Sequence, residues 1–148
     1  SLFRGICLLG TLADDMASVI KPDEMELKLG NGYPRELLLR VAEVAHTIFL
    51  HELGSPDEDE SFALLVFEML SKRCRVLVID GKIKLTAEGV EYFVKEITRR
   101  EKEIIFEMRV EGLEEINYKI GKFYVTIKIG GNNLGETKRW LCIRHENI

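Results

Sequence analysis

The stretch from Ser55 to Glu96, SPDEDESFALLVFEMLSKRCRVLVIDGKIKLTAEGVEYFVKE, constrains the fold most, because it carries a helix start, a turn dipeptide and a second helix start in close succession. Ser55 suits an N-cap and Pro56 the first helical position, while Asp57, Glu58, Asp59 and Glu60 complement the positive end of a helix dipole. Phe62, Leu65, Val66, Met69 and Leu70 recur at helical spacing, and Lys72, Arg73 and Arg75 place cations where that helix ends. Val76–Ile79 and Lys82–Leu85 are β-prone runs on either side of Asp80-Gly81, a dipeptide that favours a type I′ hairpin. Thr86 then caps a helix whose apolar positions are Val90, Phe93, Val94 and Ile97.

The run FEMLSKRCRVLVIDGKIKLTAEGVEYF resembles the end of a winged-helix domain: the last helix of a helix-turn-helix, a strand, the wing hairpin and the start of the next helix. In that family the helix before the wing enters the DNA major groove with its N-terminal half on the bases. Here that half carries Asp57, Glu58, Asp59 and Glu60, which repel phosphate, so the resemblance implies a protein-binding use for this helix. Lys72, Arg73, Arg75, Lys82 and Lys84 cluster around the expected wing, where a hairpin would lay them along a phosphate backbone or leave them as a solvated rim that keeps edge strands apart. The segment from KRCRVLVIDGKIKLTAEGVEYF to FEMRVEGLEEINYKIGKFYVTIKI is also similar to the structural half of archaeal tRNA-splicing endonuclease subunits. That family's Tyr-His-Lys set has no counterpart here, so the likeness implies a non-catalytic RNA-processing subunit.

Net charge −4 with 31% charged residues argues against a general polyanion binder and leaves only local basic patches. Cys7, Cys74 and Cys142 are odd in number and widely spaced, as expected of reduced thiols in a cytoplasmic protein. No stretch is long enough to span a membrane.

Before the central stretch, Phe3, Ile6, Leu9, Leu12, Met16 and Val19 predict an amphipathic helix over Leu2–Ile20. Ile6–Leu12 is too short and too interrupted to read as a secretory leader. Lys21–Pro34 reads as a linker holding a short strand at Met25–Leu29, and a helix from Pro34 or Arg35 runs to Leu53 on the stripe Leu38, Val41, Val44, Ala45, Ile48 and Leu53. From Ile104 the apolar period changes to two. Ile104–Val110, Ile116–Ile120, Phe123–Ile129 and KRWLCIR form an antiparallel meander, with Gly121 in a turn and GGNNLGET as a loop.

No residue set carries catalysis, a cofactor or a metal. The Gly-rich loop leads to a strand rather than a helix, so a hairpin tip is expected in place of a phosphate cradle. His46 and His51 lie five apart on an expected helix, off the spacing of a zinc site, and His145 is expected exposed. Lys122, Tyr124, Lys128, Lys138, Arg139, Trp140 and Arg144 mix basic and aromatic residues, as on surfaces that stack bases, although Phe123 and Trp140 also suit a core. The expected architecture is α+β. Residues 1–103 form N-terminal helices with a winged-helix-like centre, and 104–148 form the antiparallel β meander of the same compact unit. The expected function is a non-catalytic subunit or adaptor in a nucleic-acid-associated assembly, with a protein partner and with nucleic acid at the wing. The alternatives are a homodimeric interaction domain and a nuclease-like fragment using His145 or the Gly-rich loop.

Overall fold

A computed structural model describes residues 7–8, 23–28, 34–53, 60–83, 85–131 and 137–148. They form β1 (Cys7–Leu8), β2 (Glu24–Lys28), α1 (Arg35–Val44), β3 (Thr47–Leu53), α2 (Glu60–Ser71), β4 (Val76–Ile83), α3 (Ala87–Thr98), β5 (Ile105–Val110), β6 (Ile116–Ile120), β7 (Phe123–Gly131) and β8 (Thr137–His145). All eight strands join one sheet in the order β1-β2-β3-β4-β5-β8-β7-β6. Strands β1 to β5 are mutually parallel, and β5, β8, β7 and β6 pair antiparallel.

Each of α1, α2 and α3 links a strand to its immediate parallel neighbour, always stepping in the same direction across the sheet. Such crossovers are right-handed, so three steps in one direction put three helices on one face. Side-chain burial agrees. Met25, Leu27, Ile48, Leu50, Leu77, Ile79, Phe106, Met108, Val125, Ile127, Leu141 and Ile143 all point into the buried cluster shared with the helices. Phe67 of α2 meets Phe93 of α3 edge-on at 5.4 Å, and Phe93 stacks on Phe106 of β5 at 5.6 Å, which ties both helices to the sheet. Arg35 and Glu68 bridge α1 to α2 at 2.5 Å. The second face of the sheet has no described helix against it.

The mixed α and β character and the C-terminal antiparallel strands are as expected, while the N-terminal half differs. Residues Cys7 and Leu8 of the expected first helix form a strand; the rest of Leu2–Ile20 lies outside the described residues. The helix expected to reach Leu53 stops at Val44, where Ala45 is extended, and Thr47–Leu53 is a strand. Ile48 and Leu50 alternate with half-buried Phe49 and His51, a period-two pattern that the helical stripe had absorbed. Strand β3 separates α1 from α2, so the two helices are not a helix-turn-helix.

No hairpin forms at Asp80-Gly81. Val76–Ile83 is one strand between β3 and β5, and the dipeptide produces register shifts against both neighbours instead of a reversal. A type I′ turn requires positive φ, which among the described glycines only Gly112 and Gly121 adopt. Gly112 lies two residues beyond β5, and Gly121 occupies the first central position of the two-residue β6–β7 turn. Thr86 caps α3 as expected, its hydroxyl accepting from the Gly89 N–H at 3.0 Å. In the meander β5 pairs with β8 rather than β6.

Candidate functional site

The residues expected to bind nucleic acid are not brought together. Lys72 and Arg73 are in the turn after α2 and Arg75 just precedes β4, whereas Lys82 is near the far end of that strand, about 20 Å away at ~3.3 Å per residue. Lys84 lies outside the described residues, as do Asp57, Glu58 and Asp59; Glu60 is the first residue of α2. Arg73 and Arg75 line a cleft of about 580 Å³ with His46, Glu103 and Asn147. Their guanidinium groups are already engaged: Arg73 pairs with Asp23 at 3.5 Å, and Arg75 donates to the carbonyls of Lys72 and Cys74. Burial, with Arg75 and Arg100 nearby, draws the Lys102 ammonium below its ordinary range.

The basic and aromatic residues of the meander are brought together. Along β5, β8 and β7 every second side chain leaves the core for the second face. The ladder register aligns Ile105–Arg144–Tyr124, Glu107–Cys142–Thr126 and Arg109–Trp140–Lys128 in three successive rungs. Strand β6 adds Asn117 beside Thr126 and Lys119 beside Tyr124. A groove of about 600 Å³ runs over this surface, lined by Glu107, Asn117, Tyr124, Lys128, Trp140 and Arg144 among others. Lys138 belongs to the same face, one rung beyond Trp140. Arg139 turns the other way and donates to the Leu113 carbonyl. Phe123 is core, as expected; Trp140, also expected to suit a core, is instead half-buried on the groove side.

The cations of this face divide into two groups. Arg109 meets Asp80 at 3.6 Å, and Lys119 meets Glu146 at 2.8 Å while lying 5.4 Å from the Tyr124 ring centroid. Lys128, Lys138 and Arg144 have no ion pair among the described residues. Cys142 lies at the centre of the groove. Burial and the Glu107 carboxylate, 3.9 Å away, push its thiol up, outweighing Arg144 and Lys128. Such a thiol stays protonated near neutrality and is a poor nucleophile. Cys74, in the core, is pushed up to about 12 by burial.

The histidines take three different positions. His46 is exposed beside Thr47, with Nδ1 3.2 Å from its hydroxyl, and His51 on β3 lies 3.7 Å from Glu26. No cluster of metal-ligating side chains occurs among the described residues. His145 is buried at 3% exposure, contrary to expectation. Its ring packs edge-on against Phe123 at 5.0 Å, and its Nδ1 accepts from the Asn147 N–H. No described helix is long and apolar enough to cross a membrane. Comparison with protein-family models, curated proteins and solved structures finds no match.

Proposed function

We propose that the chain is a non-catalytic binding module of a nucleic-acid-associated assembly and that it takes single-stranded nucleic acid on the second face of β5, β8, β7 and β6. The observation that carries this reading is the rung Arg109–Trp140–Lys128, an indole between Lys128, which has no ion pair among the described residues, and Arg109, which also meets Asp80, with Arg144 and Tyr124 two rungs away. Single-strand binders combine these two elements, a π-face on which any base can stack and cations that track the backbone. Trp140 and Tyr124 are four residues apart along the strands, roughly 14 Å at ~3.4 Å per residue, which suits an extended strand lying along the groove. A sheet surface of this kind has no element to enter a major groove, so it favours unpaired bases over duplex. The acidic overall charge fits a module that contacts nucleic acid over one small patch, and free Cys74 and Cys142 fit a reducing, cytoplasmic setting.

Trp140 is the sole tryptophan, so its fluorescence reports the site directly. Short single-stranded DNA and RNA should quench it saturably at low salt, and duplex should compete poorly. With labelled oligonucleotide, Trp140→Ala should weaken binding by about 5- to 150-fold, the equivalent of ~1–3 kcal/mol for one stacked base. An indole signal that single strands leave unchanged at low salt would overturn the reading. Capture of a protein partner by the wild type but not by Trp140→Ala would reassign the face to protein recognition.

A further inference from the structure

Among the described residues strand β6 ends the sheet, and Asn117, Tyr118, Lys119 and Ile120 are all exposed. Its backbone direction follows from the turn. Ile120 and Phe123 flank the two-residue connection Gly121-Lys122, and such a hairpin closes on a hydrogen-bonded pair. Ile116, Tyr118 and Ile120 therefore direct their N–H and C=O groups toward β7, and Asn117 and Lys119 direct theirs outward.

Exposed edges are normally blunted by proline, a bulge or an outward lysine. Strand β6 has no proline, and its pairing with β7 runs without a register shift. Its one cation, Lys119, is neutralised by Glu146 on the groove side of the sheet. The side chains on the helix side are Ile116, Tyr118 and Ile120, the last two about 40% exposed.

We infer that two copies of the chain associate by antiparallel pairing of their β6 strands about a dyad at Tyr118. This register sets Asn117 of each copy opposite Lys119 of the other as hydrogen-bonded pairs, using every outward backbone group of the strand. Tyr118 then faces Tyr118 in a non-hydrogen-bonded pair, where side chains approach most closely, and Ile116 faces Ile120. The apolar side thus meets an apolar side and the polar side a polar one. A dyad at Lys119 would set two lysines opposite each other. A dyad at Asn117 would leave Lys119 and Ile120 facing residues beyond the strand. The pairing is isologous, so it closes at two copies. It stands independently of what the groove binds.

The test is sedimentation of the full chain across a wide concentration range, with three variants. The wild type should pass from 17.0 kDa to twice that mass. Tyr118→Lys, which sets two ammonium groups at the dyad, should remain a monomer with unchanged circular dichroism. Under mild oxidation Tyr118→Cys should yield a covalent dimer, whereas Ile120→Cys, facing Ile116, should not. A wild type that stays at one chain's mass at every concentration would overturn the inference. So would a Tyr118→Lys dimer as tight as the wild type, or cross-linking of Ile120→Cys as ready as that of Tyr118→Cys.

Discussion

Removal of the two exposed groove cations gives a test in which the magnitude follows from the structure. Single-strand affinity falls with salt at a slope near −0.7 per phosphate contact, so Lys128, Lys138 and Arg144 together imply a slope of about −2. Between 50 and 200 mM salt the wild type should therefore weaken by about 18-fold. Lys128→Gln/Arg144→Gln leaves one uncompensated cation, a slope of about −0.7 and a loss of less than about threefold over the same range. Both side chains are exposed and free of ion pairs among the described residues, so melting should stay within about 0.5 kcal/mol of the wild type. Lys72→Gln/Arg73→Gln is the matched control off the groove, in the turn before β4, where Arg73 already serves Asp23. The assay is fluorescence anisotropy of a labelled single strand at a series of salt concentrations. A slope that survives loss of Lys128 and Arg144 but collapses with Lys72 and Arg73 would refute the placement of the site.

Two further measurements examine the groove and the fold. The Cys142 thiol is held up by burial and by Glu107, so alkylation should be slow at neutral pH and accelerate only as pH rises through its elevated value. Glu107→Gln removes the carboxylate that disfavours thiolate and should shift the rate–pH curve to lower pH; an unshifted curve would exclude that contact as a cause. Thr86→Ala deletes the α3 cap and should cost about 1 kcal/mol, or roughly 2–4 °C in Tm for a chain of this size. A melting temperature equal to the wild type's would show that α3 is held by Phe93 and its core neighbours without help from the cap.

The sequence was most readable where side-chain period and local signals agreed. Phe123, Val125 and Ile127 alternate with polar neighbours and form a strand in the expected place; Gly121 turns the chain, and Thr86 caps α3. It was least readable where one apolar set satisfies two periods. Ile48 lies seven residues from Val41, as on a helix, and two from Leu50, as on a strand. The choice was made by pairing with β2 and β4, which sequence spacing does not encode. Asp80-Gly81 misled for a related reason. The dipeptide permits a reversal, but Leu77 and Ile79 bury more fully as one row between β3 and β5 than as an isolated ribbon, and Asp80 gains Arg109 on the second face. The groove residues were visible as a mixture of basic and aromatic types. Their separation into groove side and core side required the register, because Trp140 and Arg139 are adjacent in sequence and point to opposite faces.

The topology also fits a proposed site that lies on a face rather than at a strand end. Nucleotide crevices in parallel sheets open where successive crossovers move to opposite faces. Among the described residues α1, α2 and α3 stay on one face, and the crossovers create no such switch point. The second face then divides by chemistry. Over β2 to β4 Asp80 pairs with Arg109, and Glu26 lies 3.7 Å from His51, whose Nε2 has no hydrogen-bond partner among the described residues, beside half-buried Phe49 and Val78. Beyond β5 the balance fails among the described residues: with Glu146 taken up by Lys119, the cations Lys128, Lys138 and Arg144 exceed the Glu107 carboxylate, and the indole of Trp140 lies among them. Ion pairing on one half and surplus cation with an aromatic on the other is the pattern expected if the remaining charges meet the proposed nucleic acid. The antiparallel half, whose strict alternation can present a polar row over an apolar core, is the part of the sheet able to carry it.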